Sequence, residues 1–191
     1  MRDYLLLAIL FLSLPLSVWQ PFFGLLAFSW FAYMRPNDMA WTVNNYRPSL
    51  MIAVATILGV LLNRRERFFV WEKRTVLLGV FFATVAASAL LAPDPVFSFQ
   101  TGKLEDLAKI VFIAVLTTGL VNTRERVRWL LLVIAMSLGF LALKSAVQGV
   151  IHPGRIMHGP GGMVEDNNDY GLALVMTLPL LAYLAREEKG P

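Results

Sequence analysis

Apolar runs of about 16 to 25 residues alternate with short polar, proline-bearing or basic segments along the chain. A run of that length covers the roughly 30 Å of a bilayer's hydrocarbon at 1.5 Å rise per residue. The runs fall at 48–63, 75–92, 104–121, 129–151 and 170–185, after a first stretch over 4–34 that is interrupted by Pro15 and by Gln20-Pro21. A straight helix across that first stretch would be about 46 Å long, too long for one crossing without strong tilt. Proline removes a backbone donor, so the interruption predicts either one kinked crossing or two short helices joined at 19–21. Arg2 ahead of an apolar core has the outline of a signal peptide, but Asp3 follows it, no A-x-A site appears, and apolar character resumes at Phe22. No stretch alternates apolar and polar residues as a barrel strand does. The pattern predicts an all-α, polytopic membrane protein with six to seven transmembrane segments, a single transmembrane helical module over 1–191.

Composition agrees with the pattern. With 57% hydrophobic and 16% charged residues and a mean hydropathy of +0.62, the chain lies in the integral membrane class. It has no cysteine, which excludes disulfides and thiolate metal sites. The net charge of +4 invites a nucleic-acid reading. The basic residues, however, cluster at the ends of apolar runs and form no continuous face, so the expected partner is a lipid bilayer and no nucleic acid. Arg64, Arg65, Arg67, Lys73 and Arg74 share one short loop, and Arg124, Arg126 and Arg128 another. With Arg2 and the tail, these mark the cytoplasmic side, which makes the loops at about 35–47, 93–103 and 152–169 external. With Arg2 inside, 4–34 crosses once and the crossings number six; a true hairpin there would instead put the amino terminus outside. The expected location is a bacterial inner (cytoplasmic) membrane, multi-pass.

The chemistry concentrates in 152–169, HPGRIMHGPGGMVEDNND, which holds both histidines of the chain. Arg155 presents five donors in a fork that suits phosphate oxygens, or it snorkels to the headgroups. Lys144 stands about 10 Å from the external end of its span. It shares a face with Ser137 and Gln148, and an intramembrane charge usually pairs or faces a polar cavity, unless it too snorkels. Lys109 lies at the external end of another span with Glu105 and Asp106 one turn before it, the spacing of an intrahelical ion pair. His152 and His158 with Glu165, Asp166 and Asp169 lack any metal-site spacing, so no metal is expected. His158 as a general base is the other reading of that residue. One of Asp166, Asn167, Asn168 and Asp169 must cap the next helix, which leaves the other side chains free for sugar hydroxyls. Glycines 159, 161 and 162 allow a ligand close to the backbone.

From Arg155 through His158-Gly159-Pro160-Gly161-Gly162 to Glu165-Asp166-Asn167-Asn168, followed by a helix with Leu178-Pro179-Leu180, the chain resembles a bacterial family. It is similar to the amino-terminal half of the exosortase-associated O-glycosylation ligases, a branch of the O-antigen ligase and polymerase superfamily. Tyr33-Met34-Arg35-Pro36-Asn37 and Met1-Arg2-Asp3 also resemble that family's start, where asparagine is commoner at the position of Arg35. In the superfamily an external arginine precedes a glycine and an asparagine that opens the next span, the places taken here by Arg155, Gly159 and Asn168. Alanine is frequent three positions later, where this chain has Gly171. Family members are considerably longer, and the external loop carrying their catalytic histidine has no counterpart here, so the chain is expected to be a fragment or a module whose partner is elsewhere.

The resemblance implies transfer of a glycan from an undecaprenyl diphosphate carrier to an acceptor on the external face, with no cofactor and with the carboxy-terminal half or a partner subunit required. Arg155, Lys144, Asn168, Asp166, Asn167, His158 and Lys109 are the expected substrate-binding residues, and no catalytic residue is assigned. Lys103, Lys109, Lys144 and Arg155 put four cations on or near the side that topology leaves poor in them, which a carrier diphosphate would explain. The competing readings are a transporter or channel with Lys144 on its path, and a non-catalytic scaffold subunit of a polysaccharide export complex. Inverted repeats would favour transport, and the spans on either side of residue 95 share no motif.

Overall fold

The computed structural model describes residues 2–36, 48–63, 66, 70–92, 103–152 and 166–187, with the backbone alone at Arg2, Lys103, Glu105, Asp106 and Lys109. Among the described residues every regular element is a helix: α1 (Arg2–Trp19), α2 (Pro21–Met34), α3 (Pro48–Leu62), α4 (Lys73–Leu90), α5 (Lys103–Leu120), α6 (Arg124–Ile151) and α7 (Asn167–Glu187). They form two compact units, Met1–Leu62 with Thr123–Pro191, and Asn63–Asn122.

In the first unit α1 ends because Pro21 has no N–H to offer the Ser17 carbonyl four residues back. Gln20 is extended, at φ −125° and ψ 93°, and Pro21 opens the first turn of α2, where a missing donor costs nothing. The chain reverses at this point. Leu10 of α1, Phe31 of α2 and Ile52 of α3 share one buried cluster, and Leu10 and Phe31 lie almost equally far from Gln20 along the chain. The seam is lined by small residues. A Cβ on Gly24 would run into Thr56 Oγ1 and stand 2.9 Å from Ser17 Cβ; one on Gly59 would stand 2.6 Å from the Ser17 carbonyl oxygen and 2.7 Å from that of Val18. Close approach through glycine and serine is how apolar helices pack where no hydrophobic force between them is available.

The buried hydroxyls of α1, α2 and α3 each find an acceptor in their own helix. Ser13 donates to Leu10 O at 2.7 Å, Ser17 to Ser13 O at 2.6 Å, Ser29 to Leu25 O at 2.8 Å and Thr56 to Ile52 O at 2.7 Å. Each therefore occupies the seam at little desolvation cost. α2 closes on Arg35, which adopts the left-handed conformation at φ 45° and donates its N–H to Phe31 O at 3.1 Å.

Of the two readings of 4–34, one kinked crossing or two short helices joined at 19–21, the hairpin selects the second, which takes Arg2 away from the basic start of α6. α3 runs parallel to α1, since Ile52 meets Leu10 and Gly59 meets Ser17 and Val18. The Arg126 guanidinium lies 5.1 Å from the centre of the Phe22 ring, so α6 starts where α1 and α3 end. The start of α1 is at the opposite end of this unit.

Among the described residues three helices are long and apolar enough to cross a membrane, namely α4, α6 and α7, with 18, 28 and 21 residues, which does not support six to seven spans. α2 and α3, at 14 and 15 residues, measure only about 21 and 22 Å. α5 carries Lys103, Glu105, Asp106 and Lys109 in its first two turns, which leaves Ile110–Leu120 as its apolar part. α6 begins five residues before the predicted span, because Thr123 accepts a bond from Arg126 N at 3.2 Å and caps it, drawing the basic residues 124–128 into the helix.

The three long helices expose what a water-soluble protein would hide: Leu77 is 70% exposed, Leu143 64% and Val175 62%. Thr75 is the one buried residue of α4. Helices apolar on their outward faces are matched to lipid. In the second unit α4 packs on α5, whose Val111, Leu116 and Leu120 are buried.

Candidate functional site

The predicted polar site lies between the end of α6 and the start of α7, and its frame is built from the two helices. α6 and α7 run antiparallel, with Leu138, Leu141 and Tyr170 buried together and Ile134 and Leu174 packed against them. Tyr170, at 4% exposure, shares a 2.8 Å hydrogen bond between its hydroxyl and that of Ser145. A buried tyrosine carries a polar tip that needs a partner, and this bond fixes the register of the two helices.

Asp166 caps α7. Its Oδ1 accepts from Asn168 N at 2.8 Å and its carbonyl oxygen from Tyr170 N at 2.9 Å, so the negative carboxylate sits at the positive end of the helix. One carboxylate oxygen is thus engaged in the fold. Asn167, Asn168 and Asp169 are exposed, and their side chains make no hydrogen bond among the described residues. At the other edge His152 closes α6 by donating its N–H to Gln148 O at 2.8 Å.

Lys144 precedes Ser145 on α6 and is exposed, as is Gln148 one turn on. Ser137, on the same side by spacing, is buried at 2% and donates to Val133 O at 2.7 Å. The face predicted for these three therefore divides into a buried hydroxyl committed to its own helix and an exposed lysine and glutamine near the loop. Lys144 has no ion-pair partner among the described residues.

The structure thus brings Lys144, Asp166, Asn167 and Asn168 to one end of the α6–α7 pair, through the Ser145–Tyr170 bond next to them. Arg155 and His158 lie outside the described residues. Lys109 belongs to the other unit, and its side chain lies outside the described residues as well. Gly171 has nothing within 4 Å of where a Cβ would stand, so the alanine of the resembled pattern would fit there without rearrangement. Sequence reasoning missed Ser145 and Tyr170 as the pair that positions the site. The one local signal was a tyrosine at the boundary between the polar stretch and an apolar run.

A frame of this kind can hold an anionic or hydroxyl-rich group: a cation on α6, exposed amides on the first turn of α7, and a glycine-rich connection carrying Arg155 in sequence between them. No curated protein and no solved structure matches the chain. The model of DUF5935, described as a family of unknown function, matches residues 1–189, and the chain belongs to that family.

Proposed function

We propose that this chain is a membrane-embedded glycan ligase module of an inner membrane, holding an undecaprenyl diphosphate-linked glycan against the 152–169 stretch for transfer to an acceptor. The observation that carries this reading is the pinned frame. The Ser145–Tyr170 bond sets Lys144 on one flank and the Asp166-capped start of α7 on the other, with Arg155 on the chain that joins them.

In the proposed complex Arg155 grips two phosphate oxygens at once and Lys144 adds a point charge on the flank. Asn167 and Asn168 offer donors and acceptors to sugar hydroxyls. His158 and Lys109 are second-rank members of the same proposed contact set. The catalytic group is supplied by the carboxy-terminal half or by a partner subunit.

The test is glycan transfer in cells that depend on this chain, together with carrier-lipid binding to the purified protein, for wild type, Arg155→Lys and Arg155→Ala at matched expression. Losing a charged hydrogen-bonding partner in a dry site costs about 2 to 5 kcal/mol. At about 1.4 kcal/mol per decade, both variants are expected to fall by more than tenfold. Full transfer by Arg155→Ala would refute the clamp.

A further inference from the structure

The start of α4 combines exposed positive charge with an open apolar groove. Glu72 occupies the cap position, but its side chain makes no capping bond. The first turn closes through Val76 N to Glu72 O at 3.0 Å, and the amides of Lys73, Arg74 and Thr75 make no hydrogen bond among the described residues. Free amides at a helix start, with the helix dipole behind them, favour an anion. In the same turn Thr75 is buried at 4% exposure and its hydroxyl has no partner among the described residues. Lys73 and Arg74 are both exposed.

Arg74 also forms one end of a groove of ≈ 530 Å³ that continues over Leu77, Leu78, Val80 and Phe81. Residues 74, 77, 78 and 81 follow the spacing of one helix face. Cation and apolar lining are therefore adjacent on a single helix. α4 is long and apolar enough to cross a membrane, and Trp71, 83% exposed, stands just before it, where an interfacial aromatic belongs. The segment ahead adds Arg64, Arg65 and Arg67 in sequence.

We propose that this groove binds one anionic phospholipid of the bilayer, its phosphate against Arg74, Lys73 and the α4 amides and its acyl chain along Leu77 and Phe81. A guanidinium beside free amides matches a phosphodiester, and juxtamembrane clusters of lysine and arginine are the segments that anionic leaflets attract. A free phosphate would use the polar end alone. Here the apolar lining starts immediately beyond the cation, which is the shape of a lipid. The site is separate from the glycan reading and does not rest on it.

The full chain is purified in a neutral detergent and titrated with phosphatidylglycerol, with phosphatidylcholine of the same acyl chains, or with inorganic phosphate, and bound lipid is counted by native mass spectrometry. Wild type is expected to retain phosphatidylglycerol about tenfold better than phosphatidylcholine, a preference worth about 1.4 kcal/mol, and the preference should shrink with added salt. Lys73→Gln with Arg74→Gln should abolish the preference, and Arg74→Lys should keep part of it. Phe81→Ser should lower retention of both lipids while preserving the ratio. The exposed pair at 73 and 74 can be changed without disturbing packing, and helical circular dichroism of the variants verifies that. Equal retention of the two lipids by wild type, an unchanged preference in the double variant, or displacement of phosphatidylglycerol by millimolar inorganic phosphate would each overturn the proposal.

Discussion

The α1–α3 bundle and the α6–α7 pair solve the same packing problem in opposite ways. In the bundle, Gly24, Gly59, Ser17 and Thr56 let helix backbones meet almost directly, and a Cβ at Gly59 would strike two carbonyl oxygens. In the pair, the contact is made by larger side chains, Leu138, Leu141 and Tyr170, and held in register by one hydrogen bond between side chains. Two glycines on that pair, Gly139 and Gly171, look into open space. Glycine therefore has two meanings in this chain, and the neighbouring backbone decides between them. The bundle is a close-packed seam whose glycines have no room for a methyl. The pair is tuned by a single polar contact next to the candidate site, and its outer surface is left to lipid.

The largest expected effect is at Gly59. Gly59→Ala places a methyl 2.6 Å and 2.7 Å from the Ser17 and Val18 carbonyl oxygens. Backbone cannot yield as a side chain does, so α1 and α3 must separate, at a cost of about 3 kcal/mol or more. Thermal unfolding in detergent should show a large drop; an unchanged midpoint would mean the seam is looser than described.

Gly24→Ala comes next, because its methyl meets side chains, Thr56 Oγ1 and Ser17, that can turn aside. About 1 to 2 kcal/mol of destabilisation is expected. Thr56→Ala in the same molecule should return part of it, with a coupling energy of roughly 1 kcal/mol in a double-mutant cycle. Strict additivity would show that the two residues do not share the seam.

Tyr170→Phe removes the bond to Ser145 and little else. The loss should be about 0.6 to 1 kcal/mol of stability. Because the bond sets the frame of the candidate site, the proposed glycan transfer should fall by more than the stability loss accounts for. Ser145→Ala should behave alike, and the double variant no worse than either single one. Normal transfer in all three would separate the frame from function.

The smallest effect is expected for Gly139→Ala and Gly171→Ala. Both sit within helices with room for a methyl, so each should be neutral or raise stability by up to about 1 kcal/mol. A marked loss at either position would place an unseen partner against the α6–α7 surface and collapse the contrast with the bundle.

Much of this arrangement was legible along the chain. The long apolar runs announced α4, α6 and α7, Gln20-Pro21 announced the break between α1 and α2, and the run of Asp and Asn at 166–169 announced a capped helix start, because each of these is a local property of backbone donors and apolar length. What followed the break was not legible. A missing amide at Pro21 ends a helix but does not say in which direction the chain continues, and both a kink and a reversal satisfy it. Only the register of Ser17, Gly24, Thr56 and Gly59, three helices meeting at residues far apart in sequence, selects the reversal and turns the amino terminus to the other end. The Ser145–Tyr170 bond likewise joins residues 25 apart. Hydropathy and propensity act over neighbouring residues, whereas which backbones can touch depends on shapes that exist only once the helices have packed.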